Sequence, residues 1–123
     1  MNKENRPTSP HLTIYKPQIT SLLSISHRIT GIIQSFGLIL IFILILLIIS
    51  EKETYKLVEL FIQSLIGKIF FILYTFSLLY HTLNGIRHLI WDLGFGFDLK
   101  NVNYSGYSII FLSILLNFML WTI

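Results

Sequence analysis

The sequence predicts an all-α integral membrane protein with three transmembrane helices, and three observations lead there. Of its 123 residues, 54% are hydrophobic and 12% charged, about half the charged share of about 25% found in soluble domains. The mean hydropathy is +0.72, so much of the apolar surface must face lipid. The apolar residues also gather into three runs, each near the about 20 residues that a helix needs to cross roughly 30 Å of hydrocarbon.

The first run, 32–49, is interrupted only by Gln34 and Ser35. Leu22, Leu23, Ile25 and Ile29 continue its pattern upstream, so the helix is expected over 21–50. The second run, 69–86, has no formal charge but contains His81 and Asn84; its helix is expected over 61–92. The third, 104–123, is uncharged and predicts a helix over 103–123. Backbone groups find no water in the bilayer, so each span must be helical. Lys52, Lys56 and Glu59 read as a solvated loop. Asp92, Gly94, Gly96, Asp98, Lys100 and Asn101 form a turn-rich break before the last span. Residues 1–20 hold all three prolines; they read as an extended polar segment beside a three-helix domain of residues 21–123.

Lys and Arg placement orients the chain. Lys3, Arg6, Lys16, Arg28, Arg87 and Lys100 fall on one side, six in all, against three on the other, Lys52, Lys56 and Lys68. The N-terminus is therefore expected on the electrically negative side of the membrane. That first segment carries Glu4 and lacks an apolar core, which fits neither a secretory signal nor a transit peptide. Together with the absence of alanine, suggestive of an AT-rich coding genome, it points to synthesis within an organelle, or to a reduced bacterium.

There is no cysteine, which excludes disulfides and iron–sulfur ligation by this chain. No glycine loop for phosphate, Ser/His/Asp set or acid pair for hydrolysis is present. The surplus positive charge lies at the membrane face and suits lipid or partner proteins, with no nucleic acid implied. His11, His27, His81 and His88 are the soft-metal candidates.

Ionisable groups in a span cost roughly 2.5–3.5 kcal/mol on insertion scales, so they mark where function should lie. In the first cluster Ser24, Arg28, Gly31 and Ser35 share a helical face with His27 beside them. A guanidinium one turn from a hydroxyl suits a carbonyl or carboxylate ligand, and Gly31 would admit something bulky. Headgroup snorkelling by His27 and Arg28 is the alternative. In the second cluster His81, Gly85, His88 and Asp92 form one stripe. His81, inside the span, needs a hydrogen-bond partner or a metal; a haem iron is the natural metal, and Gly85 would leave room for a flat macrocycle. Both axial ligands from this chain is a further option: His27 and His81 are expected at different depths, while a His27–His88 pair would be unusually exposed.

The stretch Arg6, Pro7, Thr8, Ser9, Pro10, His11 to Tyr15, Lys16 and Pro17, followed by Ser24, His27, Arg28, Thr30 and Gly31, resembles the opening of the cytochrome b membrane-anchor subunits of succinate dehydrogenase, respiratory complex II. His81, Asn84, Gly85, Arg87, His88, Trp91 and Asp92 resemble that family's second-helix motif, and length and span count are similar, in the mitochondrial and alphaproteobacterial branch. The resemblance implies half of a haem-binding helical bundle, completed by a smaller anchor subunit and carrying iron–sulfur and flavoprotein subunits. It implies His81 as one axial ligand of haem b, with the other from the partner anchor, and His27 and Arg28 near the haem propionates. It places Ser24 and Arg28 at the ubiquinone site, and His88 and Asp92 in a secondary polar network. The chain itself would be no enzyme, but a non-dehydrogenase subunit of the complex in the mitochondrial inner membrane or, alternatively, a bacterial inner membrane. A small non-redox assembly or transport subunit, or the anchor of a quinol:fumarate reductase, are the competing readings.

Overall fold

The computed structural model describes residues 18–50 and 52–122. The expected strip at Arg6 to Pro17, with His11, lies outside them. The described chain forms four helices: α1 (Ile19–Ser50), α2 (Lys52–Gln63), α3 (Leu65–Asp92) and α4 (Leu99–Thr122). α1, α3 and α4 are long and apolar enough to cross a membrane. The all-α fold with three spans is the one the composition requires.

α1 has 32 residues, about 48 Å at 1.5 Å each, which exceeds the hydrocarbon thickness. Its hydroxyl-rich first turns therefore reach the membrane edge. There Ser26 and Thr30 return their hydroxyls to carbonyls one turn back, so the helix absorbs its own polar groups.

Between α1 and α3 the chain departs from the expected solvated loop. Residues 52–63 form a helix because Tyr55, Val58, Phe61 and Ile62 recur at helical spacing opposite Lys52, Lys56 and Glu59. Ser64 breaks it and caps α3, its hydroxyl accepting from the Gly67 amide at 3.1 Å. A side chain at Gly67 would run into the Phe61 backbone, so the close fold-back of α2 on α3 depends on glycine there.

α3 ends in a Schellman motif: the Gly94 amide bonds Trp91 O at 2.8 Å and the Phe95 amide bonds Ile90 O at 3.2 Å, with Gly94 at φ +89°. The chain then reverses into α4.

Leu23, Tyr80 and Ile109 form a small core where the three spans meet, flanked by Ile19, Leu83 and Ile110. In lipid, apolar burial gives little drive to helix association; small residues and polar bonds supply it. Gly37 lies against the Tyr74 ring and Gly106 against Leu23, while the buried Gln34 donates to Ser77 Oγ at 3.1 Å. Toward the other end of α4, Thr75 donates to Asn117 Oδ1 at 2.7 Å and Trp121 Nε1 to Thr75 at 3.0 Å. Phe36, Ile49, Leu65 and many other large apolar side chains point outward, toward lipid.

Candidate functional site

The polar end of the α1–α3 pair gathers three of the histidines. The His27 and His81 rings stack at 4.1 Å between centroids, 12° apart in plane. His88 lies on the other side of His27, at 5.2 Å and 35°, and meets the Trp91 ring edge-on at 5.1 Å. The expectation that His27 and His81 sit at different depths is therefore corrected. The start of the apolar run in α1 does not mark a level in the bundle; the α1–α3 register does, and the pairs Gln34–Ser77 and Gly37–Tyr74 set that register. Rings in van der Waals contact leave no room for a macrocycle between them, so neither His27–His81 nor His27–His88 brackets a haem in this arrangement.

The partners of His81 Nδ1 assign a tautomer to its neutral ring. Its Nδ1 lies 3.1 Å from the His27 carbonyl oxygen and 3.1 Å from Thr30 Oγ1. A carbonyl only accepts, so Nδ1 carries the proton. Thr30 sends its own proton to Ser26 O or His27 O, at 2.9 Å each, leaving its oxygen free to accept from His81. The lone pair is thereby left on His81 Nε2. A metal-ligating imidazole is held in this way, with one nitrogen tied to a backbone carbonyl and the other unprotonated. Gly31 serves the same ring. A Cβ there would stand 3.1 Å from His81 Cε1, so what approaches the backbone at Gly31 is the chain's own imidazole.

His27 contributes an unsatisfied group: its Nε2 is buried with no hydrogen-bond partner. A Cβ on Gly85 would be 3.7 Å from that atom, so the glycine keeps the space beside His27 open. A buried polar atom without a partner costs about 1–3 kcal/mol, which an acceptor or donor supplied from outside the chain would recover. Among the described residues no three His, Asp or Glu side chains converge as a metal-binding group. A haem iron asks of the protein only axial ligands, so the donor set here, one oriented imidazole beside an orphaned one, fits that group.

Ser24 and Arg28 stand apart from the imidazoles. With Thr20, Ser21 and Ile25 they line an open depression of about 370 Å³ on the outer flank of α1. Arg28 is exposed and Ser24 half-buried, and among the described residues only those of α1 line the depression. Asp92, the last residue of α3, is exposed. It ends the helix that carries His81 and His88, and no hydrogen bond joins it to the histidines among the described residues.

The transmembrane-subunit family of succinate dehydrogenase and fumarate reductase matches residues 2–120, nearly the whole chain. The chain belongs to this family. The succinate dehydrogenase cytochrome b556 subunit of Rickettsia prowazekii is 47% identical over 116 residues, 94% of this chain and 90% of that protein. The cytochrome b560 subunit of Reclinomonas americana is 40% identical over 125 residues, 97% of this chain and 86% of that one. The mitochondrial cytochrome b560 subunit of Mus musculus is 44% identical over 117 residues, 90% and 67% of the two chains.

As a member of the succinate dehydrogenase/fumarate reductase anchor family, the chain carries polar residues that the spacing argument overlooked. Asn84 is fully buried at 0% exposure and Arg87 is 5% exposed. Arg87 donates through Nε to Ser105 Oγ at 3.0 Å and through NH2 to Val102 O at 2.8 Å, and its guanidinium lies 4.0 Å over the Trp91 ring. NH1 reaches Asn84 Oδ1 at 3.4 Å. Asn84 Nδ2 and Tyr80 Oη both donate to Leu23 O, at 3.3 and 3.2 Å. One connected network thus ties α4 to α3 and α3 to the turn of α1 that carries Ser24 and His27. Arg87 entered the sequence reading as an orienting charge and a motif residue, and Thr30 as a motif residue, neither with a contact of its own. The signal that would have found them was the intramembrane position itself.

Proposed function

We propose that this chain is the larger membrane anchor, the cytochrome b subunit, of a succinate:ubiquinone oxidoreductase. It holds the flavoprotein and iron–sulfur subunits at the membrane and shares a haem b and the ubiquinone site with a smaller anchor subunit. The observation that carries the reading is His81, whose Nδ1 is tied to His27 O and Thr30 Oγ1 at 3.1 Å each while Nε2 keeps its lone pair.

On this reading His81 would hold the haem iron through Nε2, and a smaller anchor subunit would supply the other ligand. The close ring contacts among His27, His81 and His88 support an outside ligand. A haem propionate would give the orphaned His27 Nε2 a partner, and Arg28, on the neighbouring flank of α1, would add positive charge for the same carboxylates. The haem, when bound, supplies a one-electron carrier within the bundle. Ser24 and Arg28 border the quinone, with Ser24 Oγ donating to a carbonyl oxygen and Arg28 stabilising negative charge that grows as the quinone is reduced. Both side chains face away from the chain's own helices, where partner subunits can close the depression over the substrate. His88 and Asp92 extend the polar path toward the aqueous edge.

The Lys and Arg distribution supports placing this end on the matrix or cytoplasmic side of an inner membrane, within reach of electrons from a soluble iron–sulfur subunit. The family description covers fumarate reductase as well; the succinate dehydrogenase names of the relatives favour succinate oxidation.

The test is to isolate the native complex, identify its subunits and record its reduced-minus-oxidised spectrum. A b-type haem is expected, lost in His81→Leu. Arg28→Leu should lower quinone reduction about 10²-fold while succinate oxidation by an artificial acceptor persists. A colourless protein without a flavoprotein would leave the non-redox alternative standing; an unchanged quinone rate in Arg28→Leu would remove Arg28 from the site.

A further inference from the structure

α2 divides into two faces. Lys52, Lys56, Glu59 and Gln63 fall along one side, Leu60 and Glu53 share its edge, and Leu57, Phe61, Val58, Ile62 and Tyr55 occupy the rest. Within the chain only Val58 of this apolar arc is buried, whereas Leu57 and Leu60 are 67% and 66% exposed and Phe61 is also open. Such a face does not stay in water: full burial of a Leu or Phe side chain is favourable by about 1.5–3 kcal/mol.

What covers it follows from its place in the chain. A single residue, Glu51, separates α2 from α1, and Ser64 alone separates it from α3. Both neighbours are membrane spans, and their adjoining residues Ile49, Leu65 and Ile66 are themselves outward-facing. The apolar arc of α2 is therefore continuous with the lipid-facing surface of the bundle. α2 is also too short to span, at 12 residues, about 18 Å.

The charges on its other face balance in number and are partly paired. Lys56 Nζ meets Glu53 Oε1 at 3.0 Å and Gln63 Nε2 donates to Glu59 Oε1 at 3.1 Å. Two lysines against two glutamates leave the helix neutral, so it has no net attraction for anionic headgroups.

We propose that α2 is an interfacial membrane-binding helix, lying in the headgroup layer of the leaflet opposite Arg28, with Leu57, Leu60 and Phe61 in the acyl region, and that it binds lipid by apolar burial without selecting anionic headgroups. This is independent of the haem and quinone assignments.

The test places p-benzoylphenylalanine singly at Leu57, Leu60, Phe61, Lys56 and Gln63. Each full-length variant is purified with its co-purifying subunits and reconstituted in phosphatidylcholine vesicles. The Phe61 variant exchanges one aromatic side chain for another and guards against misfolding of the leucine variants. On irradiation this chain should gain the mass of one phospholipid at 57, 60 and 61, at least fivefold more than at 56 and 63. The yield should not change when anionic phospholipid or salt is added. Cross-linking of 57, 60 or 61 to another polypeptide overturns the proposal, as does equal or absent lipid attachment at all five positions. A yield that climbs with anionic lipid overturns its charge-neutral form.

Discussion

The two ends of the α1–α3 pair are built on opposite terms. At the end with Leu23, His27, Tyr80, His81, Asn84 and Arg87, the last two are buried beside Leu23 and Tyr80, and the polar groups are held by hydrogen bonds or ring stacking. From Leu38 to Ile49 of α1 nearly every side chain is aliphatic or aromatic and exposed. In lipid an aliphatic side chain gains little by leaving hydrocarbon for a helix interface. An unpartnered amide or guanidinium gains a great deal. The polar end therefore has one arrangement and the apolar end tolerates many, which is why the site sits where it does.

Substitutions test that contrast. The largest effect is expected from Asn84→Leu, which puts a bulkier apolar group at a fully buried site and strips Arg87 NH1 and Leu23 O of a partner. A loss of about 3 kcal/mol, read as reduced thermal stability of the assembled complex, is anticipated; melting unchanged from the parent would break the comparison. Gly37→Ala comes next. Its new Cβ would overlap the Tyr74 ring, forcing α1 and α3 apart at a cost of about 1–3 kcal/mol, measurable by the same melt. Thr30→Val keeps shape but removes the hydroxyl that accepts from His81 Nδ1. Haem retention, measured as the haem-to-flavin ratio under competing chelation by apo-haem proteins, should weaken about tenfold with little change in melting. At the apolar end Ile43→Leu should change stability by less than about 0.5 kcal/mol; a larger effect would mean that a partner helix packs there in register.

Much of this was legible in the linear chain. Span number followed from run length, and His27, Arg28, His81 and His88 stood out because titratable groups are rare in apolar runs. α2 was missed because charges at Lys52, Lys56 and Glu59 look the same on a solvated loop as on one face of an interfacial helix. Asn84 and Arg87 were undervalued for a different reason. Their partners, Leu23 O, Val102 O and Ser105, are far away in sequence, and a backbone carbonyl leaves no mark in composition.

The sequence by itself determined that this is a bundle of lipid-exposed helices with a polar edge rich in imidazole, because hydrocarbon admits few other solutions for such a composition. Only the tertiary structure decided that His27 lies between His81 and His88, that His81 Nδ1 meets the His27 carbonyl and Thr30, and that Arg87 locks three helices together. Those outcomes depend on helix register, and register is set by a few glycines and hydrogen bonds between residues that the chain order keeps far apart.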